Sequence, residues 1–283
     1  MSVPENLLHG IERLEPLPFT LQRLVVYLDK PDVETAEIVQ IIELDGAVTA
    51  NILRMANSVR FGGRFETTNL RDAVVRLGTS ALLEIALGAQ MRTLKAAAPL
   101  YDLTEDDLWL HGAAASLAVK AMSKETRNGH IPQSAAIAAL LHDIGKLIMV
   151  RYMKADVSAL VAICREKHVT FVEAERELLG CDHAEVGAAV AKKWNFPPEI
   201  TSAIERHHQV PVEAPNPTLD AVMLANLVAK TIGVGLGMEG LNLRIEYGGS
   251  RDRLGLSVEG FERACVQTAF WLKDVKKNYG IRE

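Results

Sequence analysis

Apolar residues recur along this chain at the three- and four-residue spacing of helices that face a core. Ala36, Ile38, Val39, Ile41 and Ile42 form one such face, with Asp32 or Thr35 placed to cap it. Gly46 interrupts the period, and Ala47, Val48, Ile52, Leu53, Met55 and Ala56 resume it as far as Asn57. Residues 60–64, with paired glycines, read as a loop. Two further helices are predicted over 70–77 and 80–95, joined at Gly78. The period lapses over 95–104, which predicts a subdomain boundary. Thr104-Glu105-Asp106-Asp107 then has the acids of a capped helix start. Beyond it the spacing predicts helices near 105–127, 132–151, 154–168, 171–179, 183–194, 198–207, 217–235 and 257–279. Pro132 suits a first turn, and Asp182 with Glu185 forms a capping box. Only 241–247 alternates as a strand would, and one short strand has no partner. The pattern predicts an all-α protein.

Composition agrees with this. Hydrophobic residues make up 48% of the 283 and aromatic residues only 5%, so the core is built from Ala, Leu, Val and Ile, which favours packed helices over a β-sandwich. The net charge of −5 argues against a nucleic-acid binder that works through a basic surface. Cys164, Cys181 and Cys265 lack metal-type spacing and are odd in number, so they read as free thiols of a reducing cytoplasm. No uncharged run reaches the roughly 18 residues of a membrane span, and the first residues carry no signal-peptide pattern. The expectation is a cytoplasmic protein without a membrane partner.

Leu141-His142-Asp143-Ile144-Gly145-Lys146 carries the chemistry. It sets an imidazole beside a carboxylate in mid-helix, and Lys146 follows one turn later on the same face. The other histidines give this pair its meaning. His111 lies early in the helix after Thr104, His183 opens the helix after Asp182, and His207-His208 closes the helix after Pro197-Pro198. A bundle can bring such positions to one central cleft. Imidazoles and carboxylates without thiolates suit Fe, Mn, Ni or Zn rather than a structural zinc site. Each residue also has a plainer reading. His111 reads equally as a hydrogen-bonded core residue, and Asp107 reads better as a cap partner of Thr104 than as a ligand. His183 could be a surface residue, and His207-His208 could complement a helix C-terminus. His9, His130 and His168 read as surface residues.

The order His111, His142-Asp143 and then Asn226 in Leu224-Ala225-Asn226-Leu227 resembles the HD superfamily of metal-dependent phosphohydrolases. His183, His207-His208 and Lys146 are similar to the fuller set of the HD-GYP phosphodiesterases, but Gln209-Val210-Pro211-Val212 stands where a Gly-Tyr-Pro signature would be. The HDOD family, related to HD and mostly regulatory, is the better match. Leu17-Pro18, the run from Ile41 through Glu43-Leu44-Asp45-Gly46 to Asn57-Ser58, Ala73-Val74-Val75-Arg76-Leu77-Gly78, and Leu179-Gly180-Cys181-Asp182-His183 followed by Trp194 carry that resemblance over about 14–235.

The resemblance implies an N-terminal helical subdomain (1–100) packed on an HD-like helical bundle (101–235), with a C-terminal extension (236–283) that ends in a helix. It implies metal ligands His111, His142, Asp143, His183, His207, His208 and Asn226, with Lys146 at the rim of the cleft touching a phosphate. Asn226 stands where HD enzymes carry their last Asp, and an amide is a poorer ligand than a carboxylate. Asp220 is the substitute if that register is wrong. The reading therefore favours one divalent ion over two, in a bacterial regulator that acts through a signalling protein partner or a nucleotide-like ligand. The alternative is a metal-dependent phosphohydrolase of nucleotides or cyclic dinucleotides.

Overall fold

The computed structural model describes residues 3–27, 34–58, 66–93, 99–104, 106–126, 131–152, 157–209, 216–237 and 249–281. The first half contains α1 (Glu5–Glu12), α2 (Phe19–Val26), α3 (Thr35–Glu43), α4 (Gly46–Ala56), α5 (Leu70–Leu77) and α6 (Thr79–Thr93), and a single 3-10 turn over Pro99–Tyr101. The second contains α7 (Asp107–Met122), α8 (Ser134–Leu141), α9 (Ile144–Tyr152), α10 (Val157–Lys167), α11 (Phe171–Leu179) and α12 (His183–Lys193). It continues with α13 (Pro198–Arg206), α14 (Pro217–Thr231), α15 (Ser250–Arg253) and α16 (Val258–Asn278). The all-α expectation holds: no strand occurs among the described residues, and 241–247 lies outside them. The loop over 60–64 and residues 95–98 of the 95–104 boundary also lie outside them.

Short polar side chains decide where helices begin. Asp45 accepts from the backbone N–H groups of Ala47 and Val48 at 3.0 Å each, so α4 starts at Gly46. Thr170 with Glu173 and Asp182 with Glu185 form reciprocal capping boxes at α11 and α12. Asn216 accepts from Leu219 N–H at 2.8 Å ahead of Pro217. At α3 the reading needs correction: Glu34 is the cap residue and makes no capping bond, Thr35 is already helical, and Asp32 lies outside the described residues.

The centre of the molecule is α7. It is buried from Leu108 to Met122 with the single exception of Lys120, as a helix surrounded by partners must be. It packs against α8, α14 and α16, while α12 packs against α9 and α13. Helix α1 leaves the N-terminal half to pack on α9 and α12. There Lys193 Nζ donates to the Ile11 carbonyl and Trp194 Nε1 to that of Glu15. Helix α6 is tied to α7 by buried Glu84, which accepts from Ser116 and pairs with Lys120, both at 2.9 Å. The chain's end joins both halves: Tyr279 meets Trp109 edge-on at 4.8 Å, and Arg54 lies 4.9 Å over the Tyr279 ring.

Candidate metal centre

Asp143 is the hub. The sequence predicts an unbroken helix over 132–151 with the His142-Asp143 pair in its middle, but the structure breaks it there. Helix α8 ends at Leu141 and α9 begins at Ile144, with the pair in the turn between them. The break coincides with a close helix contact. A methyl group on Gly145 would collide with the His183 carbonyl oxygen and lie 2.7 Å from the Gly187 nitrogen. The start of α9 thus rests on the backbone of the first turn of α12, a crossing that only glycine permits. This contact places Asp143 beside His183.

The two carboxylate oxygens of Asp143 face different imidazoles. Oδ1 lies 3.3 Å from His183 Nε2 and 3.6 Å from His207 Nε2. Oδ2 lies 3.6 Å from His111 Nε2 and 3.6 Å from His142 Nε2. His208 Nε2 is 3.0 Å from His183 Nε2. Donors of Asp143, His183, His207 and His208 all fall within 4.8 Å of one another, and those of His111, His142 and Asp143 do the same. Two donors about 2.1 Å from a shared ion stand roughly 3–4 Å apart, so both groups have ligand spacing.

The hydrogen bonds fix the chemistry of each ring. His142 Nδ1 meets the Ala139 carbonyl, His207 Nδ1 that of Ile204 and His111 Nδ1 that of Val234, each at 2.7 Å. A carbonyl oxygen can only accept, so Nδ1 carries the proton and Nε2 presents a lone pair to the cleft. Buried His142 Nε2, His207 Nε2 and Asp143 Oδ1 have no hydrogen-bond partner. Inward lone pairs with outward N–H bonds are the arrangement that a cation requires of its ligands and their supports. The residues present fit a divalent ion.

Electrostatics agree. Burial holds His111 below and His142 well below the usual imidazole range, against the pull of Asp143. Burial works against ionisation of Asp143, but the charge of Lys146, then His142, outweighs it and keeps the carboxylate well below its usual range. Burial likewise opposes protonation of His183, yet Glu175 outweighs it and raises that ring to about 10.

Lys146 is in the cleft but not at its rim. It is buried, with Nζ 2.8 Å from Asp143 Oδ2 and 5.5 Å from the centre of the Tyr101 ring. Its place in the first turn of α9 folds it back under Asp143. Asn226 Oδ1 lies 3.2 Å from His111 Nε2, so this position is in the site. Asp220 is not: its oxygens take Arg253 Nε at 2.9 Å and Nη2 at 2.6 Å, and Ser250 Oγ at 2.7 Å. Six residues on a helix rotate the side-chain direction by about 600°, so the two leave α14 about 120° apart. Asp107 accepts from the Thr104 N–H at 2.7 Å and hydroxyl at 2.6 Å, as a cap partner. His9 is exposed beside Glu5 and Glu12, and His130 lies outside the described residues.

Glu175 was not anticipated. It is fully buried on α11, accepting from His183 Nδ1 at 2.7 Å and from the His183 backbone N–H at 3.0 Å. A signal was present. Position 175 falls on the apolar stripe of α11, one turn from Phe171, Val172 and Leu179, and a carboxylate there needs a buried partner.

Residues 14–210 match the HDOD domain. The chain belongs to the HDOD family. A relative from Treponema pallidum (strain Nichols), an uncharacterized protein, is 25% identical over 225 residues, 78% of this chain. The chain spans only 43% of that curated relative's length. Among solved structures, an HDOD domain protein of unknown function from Geobacter sulfurreducens superposes with a TM-score of 0.75 at 23% identity, over 97% of this chain and 95% of that one. A protein from Marinobacter aquaeolei VT8, provisionally assigned to signal transduction, gives 0.77 at 20% identity, over 98% and 65%. A provisional metal-dependent phosphohydrolase from Shewanella amazonensis SB2B gives 0.62 at 23% identity, over 96% of each chain. At such identities the likeness shows a shared fold. Among the described residues, no single helix is long and apolar enough to cross a membrane.

Proposed function

We propose that this HDOD protein is a cytoplasmic signalling regulator whose cleft holds one divalent ion, ligated by Asp143, His183, His207 and His208. The carrying observation lies on the other side of Asp143. There His111 and His142 have the neutral amide of Asn226 beside them, 3.2 Å from His111, where a second carboxylate would be needed, and the Lys146 ammonium already neutralises Oδ2 at 2.8 Å. One carboxylate turned into the cleft, shared between an ammonium and five imidazoles, supports one cation better than two. When bound, the ion would supply a Lewis acid able to hold a phosphate or carboxylate oxygen of a ligand. His208, the least buried of the set, marks the side on which a nucleotide-like ligand or a protein partner would reach it.

A second reading, a phosphohydrolase of nucleotides or cyclic dinucleotides, draws on one specific observation. Both donor groups persist, and Asp143 turns one oxygen to each, as a carboxylate shared by two ions would. Elemental analysis of protein purified without chelator, with an assay on bis-p-nitrophenyl phosphate, separates the two. One ion per chain and no turnover supports the regulator; two ions with turnover supports the enzyme.

A further inference from the structure

Glu175 differs in kind from the supports of His111, His142 and His207. His111, His142 and His207 hand their Nδ1 protons to main-chain carbonyls, which no side-chain substitution removes. His183 instead hands its proton to a side chain, and that side chain comes from a different helix. Helix α11 ends at Leu179, and Gly180 reverses the chain in the left-handed region at φ 79°, so its last turns face the start of α12. Two successive residues of α11 then grip two successive residues there. Glu175 takes both the backbone and ring N–H groups of His183, and Arg176 pairs with the buried cap Asp182.

We propose that Glu175 is a positioning residue for the metal centre, holding the Nδ1 proton of His183 so that Nε2 is the nitrogen offered to a bound ion. This rests on the one-ion reading above. A carboxylate can only accept, so while ionised it demands a proton on Nδ1. It also sends negative charge through the ring, which strengthens the Nε2 lone pair as a donor. Glutamine has nearly the same shape but carries an N–H₂ that can donate to Nδ1. That would release His183 into the ring form with its proton on Nε2, where no cation can bind.

The test uses the full chain stripped by chelator and titrated with Co2+, followed by calorimetry and visible absorption. Glu175→Gln should bind Co2+ about 10–100-fold more weakly than the unsubstituted protein, the usual cost of losing such a support. Its apo-protein melting temperature should stay within a few degrees. Glu177→Gln, at an exposed pair with Lys167 on the same helix, should leave the affinity unchanged. A purely structural role would lower the melting temperature and leave the affinity and spectrum alone, and that result overturns the proposal. A Zn2+-loaded sample labelled with 15N-histidine gives a reading that needs no variant. Zn2+ on His183 Nε2 with a slowly exchanging Nδ1 proton supports it; Zn2+ on Nδ1 overturns it. If the unsubstituted protein takes up no Co2+, the metal reading falls and this inference with it. If uptake is normal and Glu175→Gln matches it, only this inference falls.

Discussion

At the scale of single residues, the site turns on charge and on one missing side chain. Asn226 is neutral where it meets His111, so Asn226→Asp should add the anion that the His111 and His142 side lacks. Elemental analysis should then show metal content rising from about one ion per chain toward two, and an unchanged ratio would show that Asn226 does not limit occupancy. Gly145 is the other sensitive position. Its would-be methyl meets main chain, which cannot rotate away, so Gly145→Ala must separate α9 from α12. A cost of about 1–3 kcal/mol is expected in urea unfolding, together with weaker metal uptake because Asp143 and His183 move apart. A stable variant with full uptake would refute that account. His142-Asp143, Lys146 and the other histidines were all recognisable by type and spacing. Glu175 was passed over because an acid on an amphipathic helix reads as solvent-facing until its place on the stripe is checked.

At the scale of elements, helix boundaries followed local chemistry closely. The predicted 171–179, 183–194 and 198–207 correspond to Phe171–Leu179, His183–Lys193 and Pro198–Arg206 because caps and prolines act within a few residues of themselves. Helices α1, α2 and α15 are not among the predicted elements, and the predicted 132–151 divides into α8 and α9. Gly145 in this stretch is a weak helix former, and there α9 meets the backbone of α12 about forty residues away. Caps here also serve the site. Asp182 accepts from Glu185 N–H at 2.8 Å and pairs with Arg176, and the next residue is His183. Asp182→Ala should cost about 1–2 kcal/mol by denaturant unfolding, the range for a lost cap, and should also weaken Co2+ binding. Thr170→Ala removes the α11 cap at a similar cost, and its effect on Co2+ binding should be much smaller. Equal effects of both variants on binding would mean that the Asp182 cap has no special link to His183.

At the scale of the whole molecule, the last helix lies outside the family match and packs on the helix that carries His111. Helix α16 buries Ala264, Cys265, Thr268, Leu272 and Val275, and packs on α7, which carries His111. Removing residues 257–283 should uncover the apolar flank of α7 and yield protein that binds the dye ANS or fails to stay in solution. A soluble, dye-silent, metal-binding truncation would show α16 to be dispensable. The thiols report on the same body. Burial, with nearby acids adding, pushes Cys181 up to about 12 and Cys265 to about 11, while Cys164 is partly exposed. Thiolate is the reactive form, so at pH 8 only Cys164 should be modified quickly by a disulfide reagent, and the other two only on unfolding. Fast reaction of all three in the native protein would contradict this packing.

The amino-acid order by itself determined what depends on neighbours along the chain. It placed the ends of α11, α12 and α13 to within a residue, the Asp182–Glu185 capping box, and the adjacency of His142 and Asp143. Those features arise from hydrogen bonds and angles spanning a few residues, and they are legible wherever the residues are. Tertiary structure alone decided what depends on meeting at a distance. It turned the two oxygens of Asp143 to separate sets of imidazoles, buried Lys146 beneath that carboxylate, and opened the helix at the His-Asp pair. It also brought Glu175 to His183, eight residues away along the chain but on another helix. Each of these follows from how closely backbones pack and from where a buried charge finds its partner, and neither is written in the spacing of residues.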